Sequence, residues 1–553
     1  MNPNRMPLRR MALLPVLVIA GAAAPPPPGA KAPSTIDPLA RSLEAEVRFL
    51  ADDLFEGRGL GTRGHELAAK HVAAEFTRMG LQPAGTDGWF QRINFAESRF
   101  TSAGETMTFG NGTASAVWRN GSDMVLASGD RDGAETITAP LVFIGYGIRD
   151  KRLGIDDLAG IDLKGKIAVA LVGAPPGMNS EIGAHLGRMK GASVLAAGGI
   201  GLIQVRSPAD AARQPWAKLA ARGRLPRRVL LGPDGAPLGD GAGLAVRATI
   251  SESAAAQLFA GAPQSFEAVQ AEAAQGPVTG FVLPGTVTIA RAQAATRVTS
   301  PNIIGILPGS KPALAGDLVM LSAHLDHVGM AAEGEGDRIF NGAMDNASGV
   351  AVLMDTARAL VRARPRRSIL FVVTTAEESG LLGAEYFARF PTVAMPRVVS
   401  VVNLDMPILT CDFADIVPFG ADRSTMMTAV AAAAKTEKLA VSPDPQPAEA
   451  IFTRSDHYAL VRAGVPAVFL KTGWRDQRGG TACKVAERTF RVENYHERSD
   501  DMAMPWDWAA AARFTRLTTG IMRRIADAPQ PPRWYAGDYF GESFAPAAVK
   551  AKR

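Results

Sequence analysis

Residues 302–324 read NIIGILPGSKPALAGDLVMLSAH, two runs of Ile, Leu, Val and Met parted by a turn rich in Gly and Pro. Short apolar runs between turn signals read as buried strands. The same kind of run returns in SILFVVTTA (368–376), VVSVVNLDM (398–406) and VPAVFLKTG (465–473). Helical periodicity fills the gaps, across ASGVAVLMDTARALVRA (347–363) and GLLGAEYFARF (380–390). Buried strands alternating with helices predict an α/β sandwich built on a largely parallel sheet. Ligands of such sheets collect at the carboxyl ends of the strands.

Upstream the pattern changes. SLEAEVRFLADDLFEG and GHELAAKHVAAEFTRMGL carry apolar residues three and four apart and read as two amphipathic helices, with EGRGLGTRG as a Gly-rich turn between them. From Thr136 short β-branched runs take over (APLVFIGYGI, KIAVALVG, GIGLIQVRS) and read as a β-rich insert, after which GTVTIARA leads back to the first unit. A chain of 553 residues is long enough for two such units. The expected divisions are 37–135 and 284–530 for the main domain, 136–283 for the insert and 531–553 for a C-terminal tail.

The first residues address the chain. MNPNRMPLRR is a positive n-region, MALLPVLVIA a short apolar core and GAAA a small-residue cleavage region, so residues 1–24 read as an export signal and 25–36 as a Pro-rich linker. That apolar core is short for a span, and no second candidate follows, so the expectation is no stable membrane insertion and a periplasmic or secreted bacterial location. The net charge of +6 draws on Arg5, Arg9 and Arg10 at one end and Lys550, Lys552 and Arg553 at the other. No basic face with interleaved aromatics remains between them, and nucleic acid is not an expected partner. Cys411 and Cys483 are too few for a disulfide framework and lack finger spacing, which leaves a single bridge open.

The polar residues at the strand ends form a short list. DLVMLSA ends at His324 with Asp326 two residues on, SILFVVTTA ends at Glu377-Glu378, and VVSVVNL ends at Asp405. Asp345-Asn346 closes the loop FNGAMDNASG before a helix, and His496 lies in NYHERSDD. Taken singly, each has a plain structural explanation as a helix cap, a dipole partner or a solvated loop histidine. Together, two imidazoles and three carboxylates at successive strand ends suit a pair of divalent metals, with one carboxylate bridging and Glu377 free as a base. Ser455-Asp456-His457 has the residue types of a hydrolase triad, but three consecutive side chains do not normally form the required relay. His327 is close enough in sequence to compete for metal. His65, His71 and His185 have no such context.

SAHLDH, GAMDNASG, EESGLLGAE, NLDM and YHERSD occur in one order, with EGRGLGTRG and GLQPAG ahead of them. In this the chain resembles the co-catalytic zinc aminopeptidases, which include bacterial leucyl and Streptomyces-type aminopeptidases and have glutamate carboxypeptidase II and glutaminyl cyclases as relatives. The resemblance implies a three-layer α/β sandwich with a mostly parallel mixed sheet, and a protease-associated (PA) domain as the β-rich insert. It also implies two Zn2+ per chain, other divalent metals being possible, and peptide substrates with a free N-terminus. Residue by residue, His324 and Asp405 resemble ligands of one ion, Glu378 and His496 ligands of the other, and Asp345 the bridge. Glu377 resembles the general base, Asp326 and Asp500 the residues that orient His324 and His496, and Tyr495 a tyrosine that stabilises the oxyanion. A Cys411–Cys483 disulfide near the site is implied by similar pairs in secreted relatives. The competing readings are a one-zinc glutaminyl-cyclase-like transferase, a carboxypeptidase or dipeptidase on the same scaffold, and a non-catalytic receptor-like protein; retention of all five ligands and Glu377 favours the aminopeptidase.

Overall fold

The computed structural model describes residues 37–101, 104–112 and 115–553. The export signal and Pro-rich linker lie outside the described residues.

At the centre four parallel strands lie in the order Ser368–Thr374, Leu318–His324, Val398–Leu404, Ala467–Thr472. Antiparallel strands flank them, the end of Phe281–Leu307 on one side and Asp415–Phe419 on the other. Side chains alternate across this sheet as strand geometry requires. Val319, Leu321 and Ala323 face one layer of helices, including Pro38–Leu50, Arg63–Arg78, Ser348–Arg362 and Trp508–Asp527. Leu318 and Met320 face another layer, containing Leu382–Arg389 and His457–Arg462. Both faces are therefore covered, which explains why the central strands are apolar throughout instead of alternating with polar residues. The result is the mixed, mostly parallel α/β sandwich that the sequence predicts.

A second core surrounds the strands Ile167–Leu171, Gly201–Val205 and Val246–Ile250, which pair in parallel. It also takes in Met107, Phe109, Trp118, Met124 and Leu126 ahead of Thr136, and Val287 and Ile289 beyond residue 283. The change of composition at Thr136 does not mark its edge, because Thr106–Gly110 pairs across the chain with 286–290. The 27-residue strand Phe281–Leu307 joins the two units. Its first half pairs with Gly133–Phe143, and its last residues pair with Ser368–Thr374 in the central sheet.

Residues 531–553 pack closely against the main unit. Trp534, Tyr539 and Phe540 are buried in the second helical layer's core, with a short helix at Tyr539–Phe544. Cys411 and Cys483 are joined by a disulfide with their Cα atoms 5.4 Å apart. Among the described residues no helix is long and apolar enough to cross a membrane.

Candidate metal centre

The carboxyl ends of the parallel strands bring the polar residues together. His324 closes its strand and Asp405 follows the next one, so parallel pairing sets them side by side, His324 Nε2 lying 3.4 Å from Asp405 Oδ1. Asp345 enters from the loop before Ser348–Arg362, with Oδ1 3.2 Å from His324 Nε2 and Oδ2 3.2 Å from His496 Nε2. Glu378 Oε2 is 2.9 Å from the same His496 nitrogen. Two donor groups result, one of His324, Asp345 and Asp405, the other of His327, Asp345, Glu378 and His496; within each, the donor atoms lie within 4.8 Å of one another. Asp345 belongs to both.

The backbone around these side chains is held by buried polar contacts. Asn346 accepts from the Gly349 amide (3.0 Å) and the Met406 amide (3.3 Å) and donates to the Leu404 carbonyl (2.9 Å), fastening the Asp345 loop to the Asp405 strand. Arg58, wholly buried, donates to the carbonyls of Leu325 (2.9 Å), Asn341 (2.7 Å) and Gly342 (2.7 Å) and so clamps the His324 turn to the Asp345 loop. Gly57 makes this approach possible: its φ is +64°, and a Cβ there would sit 2.4 Å from the carbonyl oxygens of Gly329 and Phe340. His496 has φ +59°, a conformation that costs a non-glycine residue energy and is kept only where its surroundings impose it.

Two expected orienting roles take a different form. His324 Nδ1–H donates to the main-chain carbonyl of Asp326 (3.0 Å), whereas the Asp326 carboxylate accepts the amides of Glu377 (3.2 Å) and Glu378 (3.4 Å). The Asp500 carboxylate accepts the amides of Met344 (2.7 Å) and Asp345 (3.0 Å), so it positions Asp345 instead of His496. In both cases two free amides in a turn outcompete a single imidazole N–H, since a carboxylate can accept several bonds at once. His327, which the sequence places close enough to His324 to compete for metal, sets Nδ1 2.9 Å from Glu378 Oε1 and belongs to the second donor group.

Charge is concentrated here. Burial works to raise the Asp345 carboxyl, but the imidazoles of His324 and His496, with His327 beyond, hold it well below the usual range. For Glu378, burial and the neighbouring Asp345 are overcome by His496 and His327, which bring it to about 2. His496 moves the other way: burial is outweighed by Glu378 and Asp345, and its proton is held up to about 10. Glu377 stands apart. Enclosure, reinforced by Asp405 and Glu378 against the opposing pull of His324, raises it well above the usual carboxylate range. It lines one cavity with Asp345, Asp405, Tyr495 and the buried Lys471.

The donor set fits divalent metal. His324 Nε2, Asp405 Oδ1 and His496 Nε2 are buried with no hydrogen-bond partner among the described residues, a costly condition for groups that converge on one another. Nitrogen and carboxylate oxygen are the donors that zinc accepts. Tyr495 stacks on His496, their ring centroids 3.9 Å apart, and the Arg491 guanidinium lies 5.7 Å from the phenol ring's centre.

Ser455-Asp456-His457 diverges instead. Ser455 Oγ accepts from Asn403 (2.8 Å), Asp456 accepts from the Thr374 hydroxyl, and His457 Nε2–H donates to the Phe452 carbonyl (2.7 Å). His65 meets Ser300, His71 meets Glu46 and His185 meets Tyr458, all away from the donors.

A sandwich with convergent imidazoles and carboxylates at its strand ends has the architecture of the metallopeptidase class. Residues 302–522 match Peptidase family M28, and the chain carries a domain of that family. Over 196 residues it is 29% identical to leucine aminopeptidase 2 of Trichophyton rubrum, covering 34% of this chain and 38% of that protein. A probable zinc metalloprotease of Pyrenophora tritici-repentis is 42% identical over 65 residues, 12% of this chain and 15% of that one. The chain thus spans well under half the length of these curated relatives. Among solved structures, the aminopeptidase from Aneurinibacillus sp. strain AM-1 is similar in fold, with a TM-score of 0.50 at 18% identity, covering 89% of this chain and 95% of that one.

Proposed function

We propose that this protein is an exported zinc aminopeptidase that removes N-terminal residues from peptides at a dinuclear site. The observation that carries the reading is Asp345, one carboxylate shared between two groups of donors. In this reading His324 and Asp405 hold one ion, Glu378 and His496 the other, and Asp345 bridges them. Zinc bound there would supply Lewis acidity toward a scissile carbonyl and make water a better nucleophile near neutral pH.

Glu377 is the group left for proton transfer. It shares the cavity of Asp345 and Asp405, within which its carboxylate can take a proton from water and pass it to the leaving amine. Tyr495 lines the same cavity, where its hydroxyl can donate to a developing oxyanion. Asp326 and Asp500 act through the backbone, fixing the Glu377-Glu378 turn and the Asp345 loop. The β-rich unit is read as a PA-like domain. Export is supported by the charged, apolar and small-residue order of the first 24 residues and by the Cys411–Cys483 bridge.

A panel of fluorogenic aminoacyl substrates with N-acetylated controls, run with and without chelator, tests the reading. Turnover that requires both a free amine and metal is expected. Equal cleavage of the acetylated controls would overturn the aminopeptidase assignment.

A further inference from the structure

A cavity of about 540 Å³ opens against Glu378, Ser379 and Gly380, the turn that carries one of the metal-site carboxylates. Its other walls come from the β-rich unit and the strand leading into it, and include Arg99, Arg224, Arg227, Arg228 and Arg247. Two acids partner these five cations. Glu97 is shared by Arg99 (2.8 Å) and Arg228 (2.9 Å), and Asp130 pairs with Arg227. Arg224 and Arg247 make no ion pair among the described residues, and Arg247 Nε is buried with no hydrogen-bond partner. Arg228 also donates to Ser379 Oγ (3.3 Å), which ties the basic wall to the turn beside Glu378.

Three of the five guanidiniums pair with Glu97 and Asp130, and the two left over give the cavity wall a net positive charge that an anion would complement. The planar fork of Arg matches a carboxylate in two-bond geometry. The cavity volume is within the range of small-ligand sites. We propose that this arginine-lined cavity binds a carboxylate of the peptide substrate, making the enzyme selective for peptides that carry a negative charge beyond the residue removed. The proposal rests on the aminopeptidase reading. The β-rich unit thereby becomes part of the substrate site.

Three matched peptides test it: Leu-Gly-Gln-amide, Leu-Gly-Glu-amide and Leu-Gly-Gln with a free C-terminus. The native enzyme is expected to favour at least one carboxylate-bearing peptide over the neutral one by about tenfold in kcat/KM, the scale of one charge-assisted hydrogen-bonded contact. Which of the two is favoured distinguishes a side-chain carboxylate from the terminal one. Arg224→Glu, at an exposed position, and Arg247→Gln should each shrink that advantage to about twofold or less while the neutral peptide is cleaved as before. Equal rates on all three peptides, or an advantage that survives both substitutions, would overturn the proposal. If no peptide is cleaved at all, the aminopeptidase reading fails. The cavity is then judged by calorimetric titration of Leu-Gly-Glu-amide and Leu-Gly-Gln-amide into Glu377→Gln protein with and without Arg224→Glu: tighter binding of the acidic peptide, lost with the arginine, supports it, and equal binding overturns it.

Discussion

The metal centre and the Ser455-Asp456-His457 segment are made of similar parts. Each has buried histidine and carboxylate beside the central sheet, and each has the residue types that chemistry needs. At the metal centre the ring nitrogens and carboxylate oxygens converge, and several have no protein partner. In the other segment the three side chains point to Asn403, Thr374 and Phe452, which lie on separate elements. Donors that converge from several strand ends mark a site that needs a ligand; side chains that diverge onto separate elements mark structural roles.

The largest effect is expected at Glu377. Glu377→Gln keeps the shape but cannot take a proton, so turnover should fall by about 100-fold or more with metal content unchanged. Near-normal turnover would mean that the base has been assigned wrongly. Next, Asp500→Asn should weaken metal binding by about 10-fold or more, as loss of an outer-sphere partner commonly does, because the Met344 and Asp345 amides lose a charged acceptor. Competition with a chelator measures this, and unchanged affinity would remove Asp500 from the site.

On the structural side the effects should appear in stability. Burial holds His457 at about 4, below its ordinary 6.5, so the folded protein refuses a proton that the unfolded chain accepts. Its contribution is therefore complete above pH 6.5 and is lost as the pH falls toward 4, by about 3 kcal/mol in all. Thermal unfolding of native protein and His457→Asn between pH 8 and pH 4.5 should show a weaker pH dependence in the variant; parallel curves would contradict this. The smallest effect is expected from Ser455→Ala, which should leave turnover within about twofold and cost about 1 kcal/mol for the lost Asn403 bond. A large loss of turnover would revive the triad.

Much of this was legible in the sequence because strand ends announce themselves. An apolar run that stops at His324, Glu377 or Asp405 locates that residue at the sheet's carboxyl edge, and parallel pairing then brings the three close together. Asp345 and His496 lie in loops, and only the resemblance to known aminopeptidases assigned them partners. What stayed hidden depends on the backbone. Arg58 looks like part of a Gly-rich turn, since its acceptors at Leu325, Asn341 and Gly342 are carbonyls 267 to 284 residues away in sequence. The resemblance places Asp326 and Asp500 at the site, but no spacing rule says whether a carboxylate will take a ring N–H or a pair of amides. The edge of the second core was hidden for a similar reason, because strand pairing across 180 residues leaves no local mark.

In the proposed site Asp345 is shared between two bound ions. Elemental analysis of zinc-supplemented, gel-filtered protein, alongside Asp345→Asn, tests it most directly. Two metal ions per native chain are expected, and the Asp345→Asn protein should lose both, since each group of donors includes this carboxylate. A native ratio near one, or an Asp345→Asn protein that still holds two ions, would contradict the account.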